Sequence, residues 1–279
     1  MALVDFEGDE MVERLADVIA RRVGFRRLDL LPKVTACLAQ VQAAERPGFA
    51  GRLMTAASTD QGWLDFIEPL LVHETYFFRH PAQLELLRDR ILPELDAQRR
   101  EAGRGELIVW NAGCSTGEET WTLALLASEA DEGPAIPMSI LGTDLSEPAL
   151  AIARSGLYVR LHGLDSFRAI PPWAIKHFRG GDNSAWRVPD RLRRGVSFRR
   201  HNLLDPPPIA GADLVLCRNT LIYFDEAANR RAQDNLAAAL RPGGVLVLGS
   251  ADSLRVAGGF ESIASIGATA YRKTMGQQS

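Results

Sequence analysis

Between residues 106 and 119 the chain reads ELIVWNAGCSTGEE: an unbroken apolar run, a loop with glycines at 113 and 117, and the start of a helix. An apolar strand that runs through a glycine turn into a helix points to a parallel sheet, because parallel neighbours need helical crossovers and such strands need cover on both faces. In such sheets the ligand lies at the carboxyl ends of the strands. At Gly113 and Gly117 the backbone can turn sharply and a ligand can approach without meeting a Cβ. The pattern then repeats. The helix EETWTLALLASEA leads to the apolar run MSILGT and a short helix beginning near Ser146 and Pro148; ADLVLC and GVLVLG bracket an amphipathic segment from Asp225 to Leu240, and TAYRK reads as a closing strand. The expected fold class is α/β.

Upstream the pattern is helical. Met11, Leu15, Val18 and Ile19 recur at helical spacing before Gly24; Val34, Leu38 and Val41 do so before a break at Pro47 and Gly48; Leu64, Ile67 and Leu71 follow. A long helix from about Ala82 to Arg99, with Leu84, Leu87, Ile91 and Leu95 on one face, links this module to the sheet. Between Gly156 and Arg200 the strand signals weaken, and Pro171, Pro172, Gly180, Gly181 and Pro189 interrupt them, as in an inserted small β subdomain. The expected organisation is a helical N-terminal domain over residues 1–90 and a ligand-binding domain over 91–279, with the insertion at 156–200.

Composition narrows the partners. Of 279 residues 46% are hydrophobic, enough for a sizeable core. A count of 32 Lys and Arg against 35 Asp and Glu gives a net charge of −3, so no global field draws the chain onto nucleic acid or an anionic membrane. No apolar run nears the roughly 20 residues that span a bilayer, and the opening MALVDFEGDE carries acids where a secretory signal carries bases. A cytoplasmic location without membrane insertion is expected. Cys37, Cys114 and Cys217 are odd in number and widely spaced, which fits neither a disulfide framework nor a zinc site; they read as buried, reduced thiols, and no metal is expected.

The glycine loop also constrains its ligand. Glu118 and Glu119 put two negative charges at the helix N-terminus, where a dinucleotide would seat its pyrophosphate. They suit a cation, and S-adenosylmethionine carries an ammonium and a sulfonium; alternatively, both acids only complement the helix dipole. Asp144, at the end of the second strand, stands where an acid accepts hydrogen bonds from both ribose hydroxyls, or else it caps the next helix, a role for which Ser146 competes. Loop and acid together are a nucleoside signal that does not name a reaction.

Three further segments do. HETYFFRHPAQLELL, from His73, closely resembles the N-x-T-x-F-F-R block of the CheR-type chemotaxis receptor (protein-glutamate) O-methyltransferases; WNAGCSTGEETWTLALL resembles that family's cofactor loop, and CRNTLIYFD, from Cys217, its C-R-N-x-x-I-Y-F block. Order and spacing agree as well. The likeness runs from about residue 10 to 274, dense in these segments and in GTDLSEPALAIARSGLY, thin in the N-terminal helices and the insertion. It implies a Rossmann-like S-adenosylmethionine-dependent methyltransferase sheet with a helical N-terminal domain and a small inserted β subdomain. It also implies methyl transfer from S-adenosylmethionine, leaving S-adenosylhomocysteine, to glutamate carboxylates on the cytoplasmic domain of methyl-accepting chemoreceptors.

Implied cofactor contacts come from Thr75 and Arg79 of the first block, a Glu of the loop, Asp144, Asn202 and Leu203 before the fourth strand, and Arg218 and Asn219 after it. Spacing to Asp144 favours Glu119 over Glu118. His73 stands in this set where the family commonly has Asn, so its contact differs in kind. A second departure is the receptor-docking helix, conspicuously basic in enteric members; here LPKVTACLAQVQAAERPGFAGR offers Lys33, Arg46 and Arg52, with Arg26 and Arg27 just upstream. The resemblance further implies that the insertion can hold a receptor's C-terminal peptide by strand addition. A monomer is expected.

A glutamate carboxylate, with an intrinsic pKa of about 4.3, is already ionised near neutrality, so methyl transfer to it needs no general base. What remains is positioning and the removal of water. Arg79 and Tyr223 are the candidate catalytic residues: Arg79 to orient the carboxylate and balance charge, Tyr223 to hydrogen-bond near the methyl or the acceptor oxygen, or to serve as a packing lid. A nucleic-acid base methyltransferase fits less well. Asp205 of NLLDPPP precedes the strand ADLVLC, whereas the amine-binding D-P-P-Y motif follows it, and Pro208 stands where a stacking aromatic is required. No nucleic-acid partner is expected. A third reading is a silent scaffold that senses cofactor or binds a receptor, against which the intact set Thr75, Arg79, Asp144, Arg218, Asn219 and Tyr223 weighs.

Overall fold

The computed structural model describes residues 6–129, 136–159, 166–180, 185–256 and 258–275. Ala130 of the expected helix, and residues 160–165 and 181–184 of the insertion with Gly181 among them, lie outside the described residues. The chain divides into two compact units, Met1–Val72 with Ile222–Ala232, and His73–Leu221 with Gln233–Ser279. The boundary therefore falls after Val72, not at residue 90, and the first unit takes in a segment from far along the chain.

In the first unit α1 (Phe6–Val23), α2 (Arg27–Ala39), α3 (Arg46–Thr55) and α4 (Gln61–Ile67) bury Leu15, Ile19, Leu30, Val34, Leu38, Leu53 and Trp63 at helical spacing. Pro47 and Gly48, expected as a break, are instead the first turn of α3, where a proline needs no N–H partner. Two main-chain bonds tie in the distant segment: Arg26 N–H donates to the Tyr223 carbonyl at 3.0 Å, and Asp225 N–H to the Gly24 carbonyl at 2.8 Å.

The second unit begins with α5 (Pro81–Leu86), a π turn at Leu87–Ile91 and α6 (Leu92–Glu101), which together form the expected long helix. Pro93 has no N–H and its ring crowds the carbonyl four residues back, so the ladder widens to a π turn just before it. There follow β1 (Leu107–Ala112), α7 (Glu118–Ser128), β2 (Met138–Asp144), α8 (Glu147–Ser155), β3 (Leu157–Val159), α9 (Pro172–Ile175), β4 (Arg179–Gly180), β5 (Ala185–Arg187), α10 (Asp190–Arg193), β6 (Val196–Arg200), β7 (Ala212–Cys217), α11 (Glu226–Ala239, which starts in the first unit's segment), β8 (Leu240–Leu248), β9 (Phe260–Ser265) and β10 (Ala268–Lys273).

Seven strands form one sheet in the order β6-β2-β1-β7-β8-β10-β9. Strands β6 to β8 in that order are parallel, and β10 runs antiparallel to β8 and β9. Chain order reverses between β1 and β7. This is the topological switch point, onto which the loops leaving both strands open. β3, β5 and β4 make a separate antiparallel sheet, so the insertion is a β subdomain, but its expected last residues, Val196–Arg200, are the edge strand β6 of the main sheet. No helix among the described residues is long and apolar enough to cross a membrane.

At the amino end of β7 the fully buried Asp213 carboxylate accepts from Arg99 Nε of α6 (2.7 Å), Ile108 N–H of β1 (2.7 Å) and Arg241 Nε of β8 (2.6 Å). Burial pushes its pKa up, but the hydrogen bonds from Arg99, Arg241 and Ile108 outweigh this and hold it below the usual carboxylate range. The stabilisation is therefore present above the unfolded value of about 3.9 and is lost as pH falls through the lower folded value. Asp213→Asn, which leaves two guanidinium groups without their counter-charge, is expected to lower the unfolding free energy by about 3–5 kcal/mol in urea denaturation at pH 7. Parent-like stability would show that this lock contributes nothing.

Candidate active site

Four non-glycine residues among those described have positive φ: Phe78 (59°), His80 (58°), Ser115 (50°) and Asn219 (56°). Two lie in the HETYFFRH block, one in the glycine loop and one just after β7. Each such conformation costs on the order of 1–3 kcal/mol and persists where surrounding contacts dictate it. Those contacts are specific. Gly113 (φ 75°) faces Thr220, whose Oγ1 would lie 2.2 Å from an added Cβ, and at Gly117 (φ 93°) an added Cβ would meet Ala153 Cβ at 2.7 Å. The glycine faces expected to admit a ligand are thus taken by protein. They let the β1 loop lie against the β7 loop and α8.

Arg218, only 4% exposed, is the hub of this region. It donates from Nε to Gln83 Oε1 (2.9 Å), from Nη1 to Glu119 Oε2 (2.5 Å) and from Nη2 to the Arg79 carbonyl. Glu119 Oε1 accepts from Asn111 Nδ2 (2.6 Å), Asn111 Oδ1 accepts from Thr120 Oγ1 (2.6 Å), and Gln83 Nε2 donates to the Leu248 carbonyl (2.8 Å). The two adjacent acids of α7 are thereby separated. Glu118 is turned to the insertion, accepting from Thr116 Oγ1 (2.7 Å) and Ser166 Oγ (2.6 Å), and burial pushes its pKa up against those bonds.

Asp144 accepts from Ser115 N–H (2.8 Å) and Ser146 N–H (3.0 Å), while Ser146 Oγ caps α8 by accepting from Ala149 N–H at 3.0 Å. The cap belongs to Ser146, and Asp144 fastens the glycine loop to the end of β2. Burial raises the Asp144 pKa; its N–H bonds to Ser146 and Ser115, and the charge of His73, pull the other way. Arg79 donates from Nη1 to the Glu74 carbonyl (2.6 Å), with its guanidinium 5.5 Å from the Tyr76 ring centre. His80 hydrogen-bonds the Asn219 side chain, and burial, then the charges of Arg218 and Arg79, lower its pKa. Asn202 Oδ1 accepts from Leu204 N–H (3.0 Å) in a turn that buries Leu203 after β6. Thr75 is half-buried between His73 and Arg79. Tyr223 falls in the first unit, its ring centre 6.3 Å from that of Phe25.

Sequence reasoning missed Gln83, Asn111 and Thr120 as hub partners. The available signal was polarity out of place, a Gln beside Leu84, Leu86 and Leu87 and an Asn ending an apolar strand. Five buried side-chain polar atoms of the described residues lack a hydrogen-bond partner, and four of them, His80 Nε2, Ser115 Oγ, His201 Nε2 and Asp252 Oδ2, lie in the HETYFFRH block or on loops past the carboxyl ends of β1, β6 and β8. The fifth, His177 Nε2, has Glu129 Oε1 at 3.2 Å. An unmet buried polar group costs about 1–3 kcal/mol, so these atoms call for a polar partner such as water or a bound ligand.

A doubly wound sheet with polar loops at the carboxyl ends of its strands defines the class, a Rossmann-like domain. Residues 73–268 match the family described as CheR methyltransferase, SAM binding domain, and the chain belongs to the CheR methyltransferase family. It is accordingly an enzyme, an S-adenosylmethionine-dependent methyltransferase. Chemotaxis protein methyltransferase of Borreliella burgdorferi is 30% identical over 197 residues, 69% of this chain and 68% of that one. Chemotaxis protein methyltransferase 1 of Pseudomonas aeruginosa is 32% identical over 212 residues, 73% and 75% of the two chains. An uncharacterized 104.1 kDa protein of Rhodobacter capsulatus is 36% identical over 187 residues, which are 66% of this chain and 19% of that protein's length.

The two acids of α7 should respond oppositely to neutralisation. Glu119→Gln leaves the buried Arg218 without its counter-charge and is expected to cost about 3–5 kcal/mol. The raised folded pKa of Glu118 means that its ionisation opposes folding as pH climbs past the unfolded value of about 4.3, so Glu118→Gln should gain stability relative to the parent between about pH 4 and pH 8. Urea midpoints at the two pH values check both; a Glu118→Gln deficit that grows with pH would reverse the assignment.

Proposed function

We propose that this protein transfers methyl groups from S-adenosylmethionine to glutamate side-chain carboxylates on the cytoplasmic domain of chemoreceptors, working as a monomer in the cytoplasm. The observation that carries this reading is the setting of Arg79. Its guanidinium is held by the Glu74 carbonyl and the Tyr76 ring, and its own carbonyl by the Arg218 hub. A fixed cation there suits an anionic acceptor and repels an amine on its way to becoming an ammonium. The names of the Borreliella and Pseudomonas relatives point to the same acceptor system.

His73, Thr75, Arg79, Glu119, Asp144, Asn202, Leu203, Arg218 and Asn219 are assigned to the cofactor, Asp144 to the ribose hydroxyls and Asn202 to the adenine. S-adenosylmethionine, when bound, supplies an electrophilic methyl on a sulfonium. Arg79 orients the acceptor carboxylate and balances its charge, and the Tyr223 hydroxyl hydrogen-bonds at the acceptor oxygen. No side chain of this protein has to remove a proton from a glutamate that is already an anion. The reading is tested by incubating the protein with methyl-labelled cofactor and purified receptor fragments, where base-labile label is expected; base-stable label, or none, would refute the glutamate acceptor.

Binding and chemistry should separate by residue. Asp144→Ala is expected to weaken S-adenosylhomocysteine binding by about 1–3 kcal/mol in calorimetry, with activity largely recovered at saturating cofactor. Tyr223→Phe should leave that affinity nearly intact and lower the single-turnover methylation rate, since an interaction made in the transition state alters the chemical step alone. Parent-like turnover in Tyr223→Phe would reduce Tyr223 to a packing partner of Phe25.

A further inference from the structure

The insertion grips the HETYFFRH block through consecutive residues. Ser166 accepts the Phe77 N–H on its carbonyl at 2.8 Å, Phe167 stacks on the Phe77 ring at 5.2 Å between centres, and Arg168 Nη2 bonds Glu74 Oε1 at 2.9 Å. The Arg168 guanidinium also lies 3.8 Å from the centre of the Tyr76 ring, the same ring that Arg79 approaches at 5.5 Å. Two like charges thus share one aromatic ring. What holds them is Glu74, whose carbonyl takes Arg79 and whose carboxylate takes Arg168. Without Arg168, that carboxylate would be free to draw on Arg79, already bonded to the same residue's carbonyl, and the ring would lose one of the charges that fix its angle.

We propose that Arg168 is a positioning residue for methyl transfer: by engaging the Glu74 carboxylate and the Tyr76 ring it keeps the Arg79 guanidinium set in place and open to the acceptor. The proposal rests on Arg79 meeting the acceptor carboxylate. It makes the inserted subdomain part of the reaction centre, to which Ser166 is also joined through its bond to Glu118.

The test uses the full chain with Arg168→Ala, Arg168→Lys, Glu74→Gln and the double variant Arg168→Ala/Glu74→Gln. Three readouts are taken: kcat/KM for a receptor fragment at saturating cofactor, S-adenosylhomocysteine affinity by calorimetry, and the 15N–1H signal of Arg79 Nε, identified by its loss in Arg79→Lys. Arg168→Ala is expected to lower kcat/KM by about tenfold and to shift the Arg79 signal, with S-adenosylhomocysteine affinity within about twofold of the parent. Arg168→Lys should restore part of the loss, and Glu74→Gln in the Arg168→Ala background should recover about threefold or more, because the competing carboxylate is gone. An unmoved Arg79 signal in Arg168→Ala, a fall in cofactor affinity that parallels kcat/KM, or no recovery in the double variant would overturn the proposal. If the Arg79 signal shifts and recovers as expected while the parent methylates no receptor fragment, Arg168 does set Arg79 and it is the glutamate-acceptor reading that fails.

Discussion

Arg218 is a cation almost withdrawn from water, and the carboxyl end of the sheet is built to satisfy it. Its fork reaches an amide on α5, a carboxylate on α7 and a main-chain carbonyl in the HETYFFRH block, so elements far apart in sequence share one charge. A buried ion pair is a poor source of net stability, because desolvation consumes most of the attraction; what it supplies is intolerance of any arrangement that leaves a charge alone. The hub therefore fixes geometry more than it adds free energy. Because Arg79 contributes its carbonyl, the residue assigned to the acceptor has its backbone located by the same network that holds the glycine-loop acid.

The strained backbone follows from this crowding. Ser115 is held at positive φ while its N–H is fastened to Asp144, and Asn219 while its side chain engages His80. Loops so constrained lose little further freedom when a ligand arrives, and their unmet polar atoms already face the ordering cost that binding usually imposes. The remainder of the fold offsets that cost through a continuous apolar core beneath the loops, in which Phe77, Leu87, Val109, Leu216 and Val247 are buried.

The central strands and the long helices were legible because burial on both faces writes itself as unbroken apolar runs, as in ADLVLC and GVLVLG. The edge strands β6 and β9 were not: each pairs on one side, β6 alternating half-buried and exposed residues and β9 burying only Ile263, so VSFRR and FESIAS carry no apolar run. At the site, residue types and spacing named the segments but not their partners. Spacing to Asp144 favours Glu119 over Glu118, but nothing in GEE sets their partners, which are Ser166 for one and Arg218 for the other, 48 and 99 residues away along the chain. Likewise the glycines at 113 and 117 were readable as necessary, while the reason, contact with Thr220 and Ala153, is tertiary.

The strand β7 carries one further consequence. All six of its residues are buried, and its apolar stretch gives no alternation by which its neighbours β1 and β8 could recognise a correct alignment. Its two ends carry opposite charges, Asp213 at the start and Arg218 just beyond the last residue, and each is matched by buried partners on other elements. Sliding the strand by a single residue would strand both charges at once, at opposite ends of the sheet. The pair thus acts as an index mark for strand alignment, selecting one register among several that apolar packing alone would tolerate.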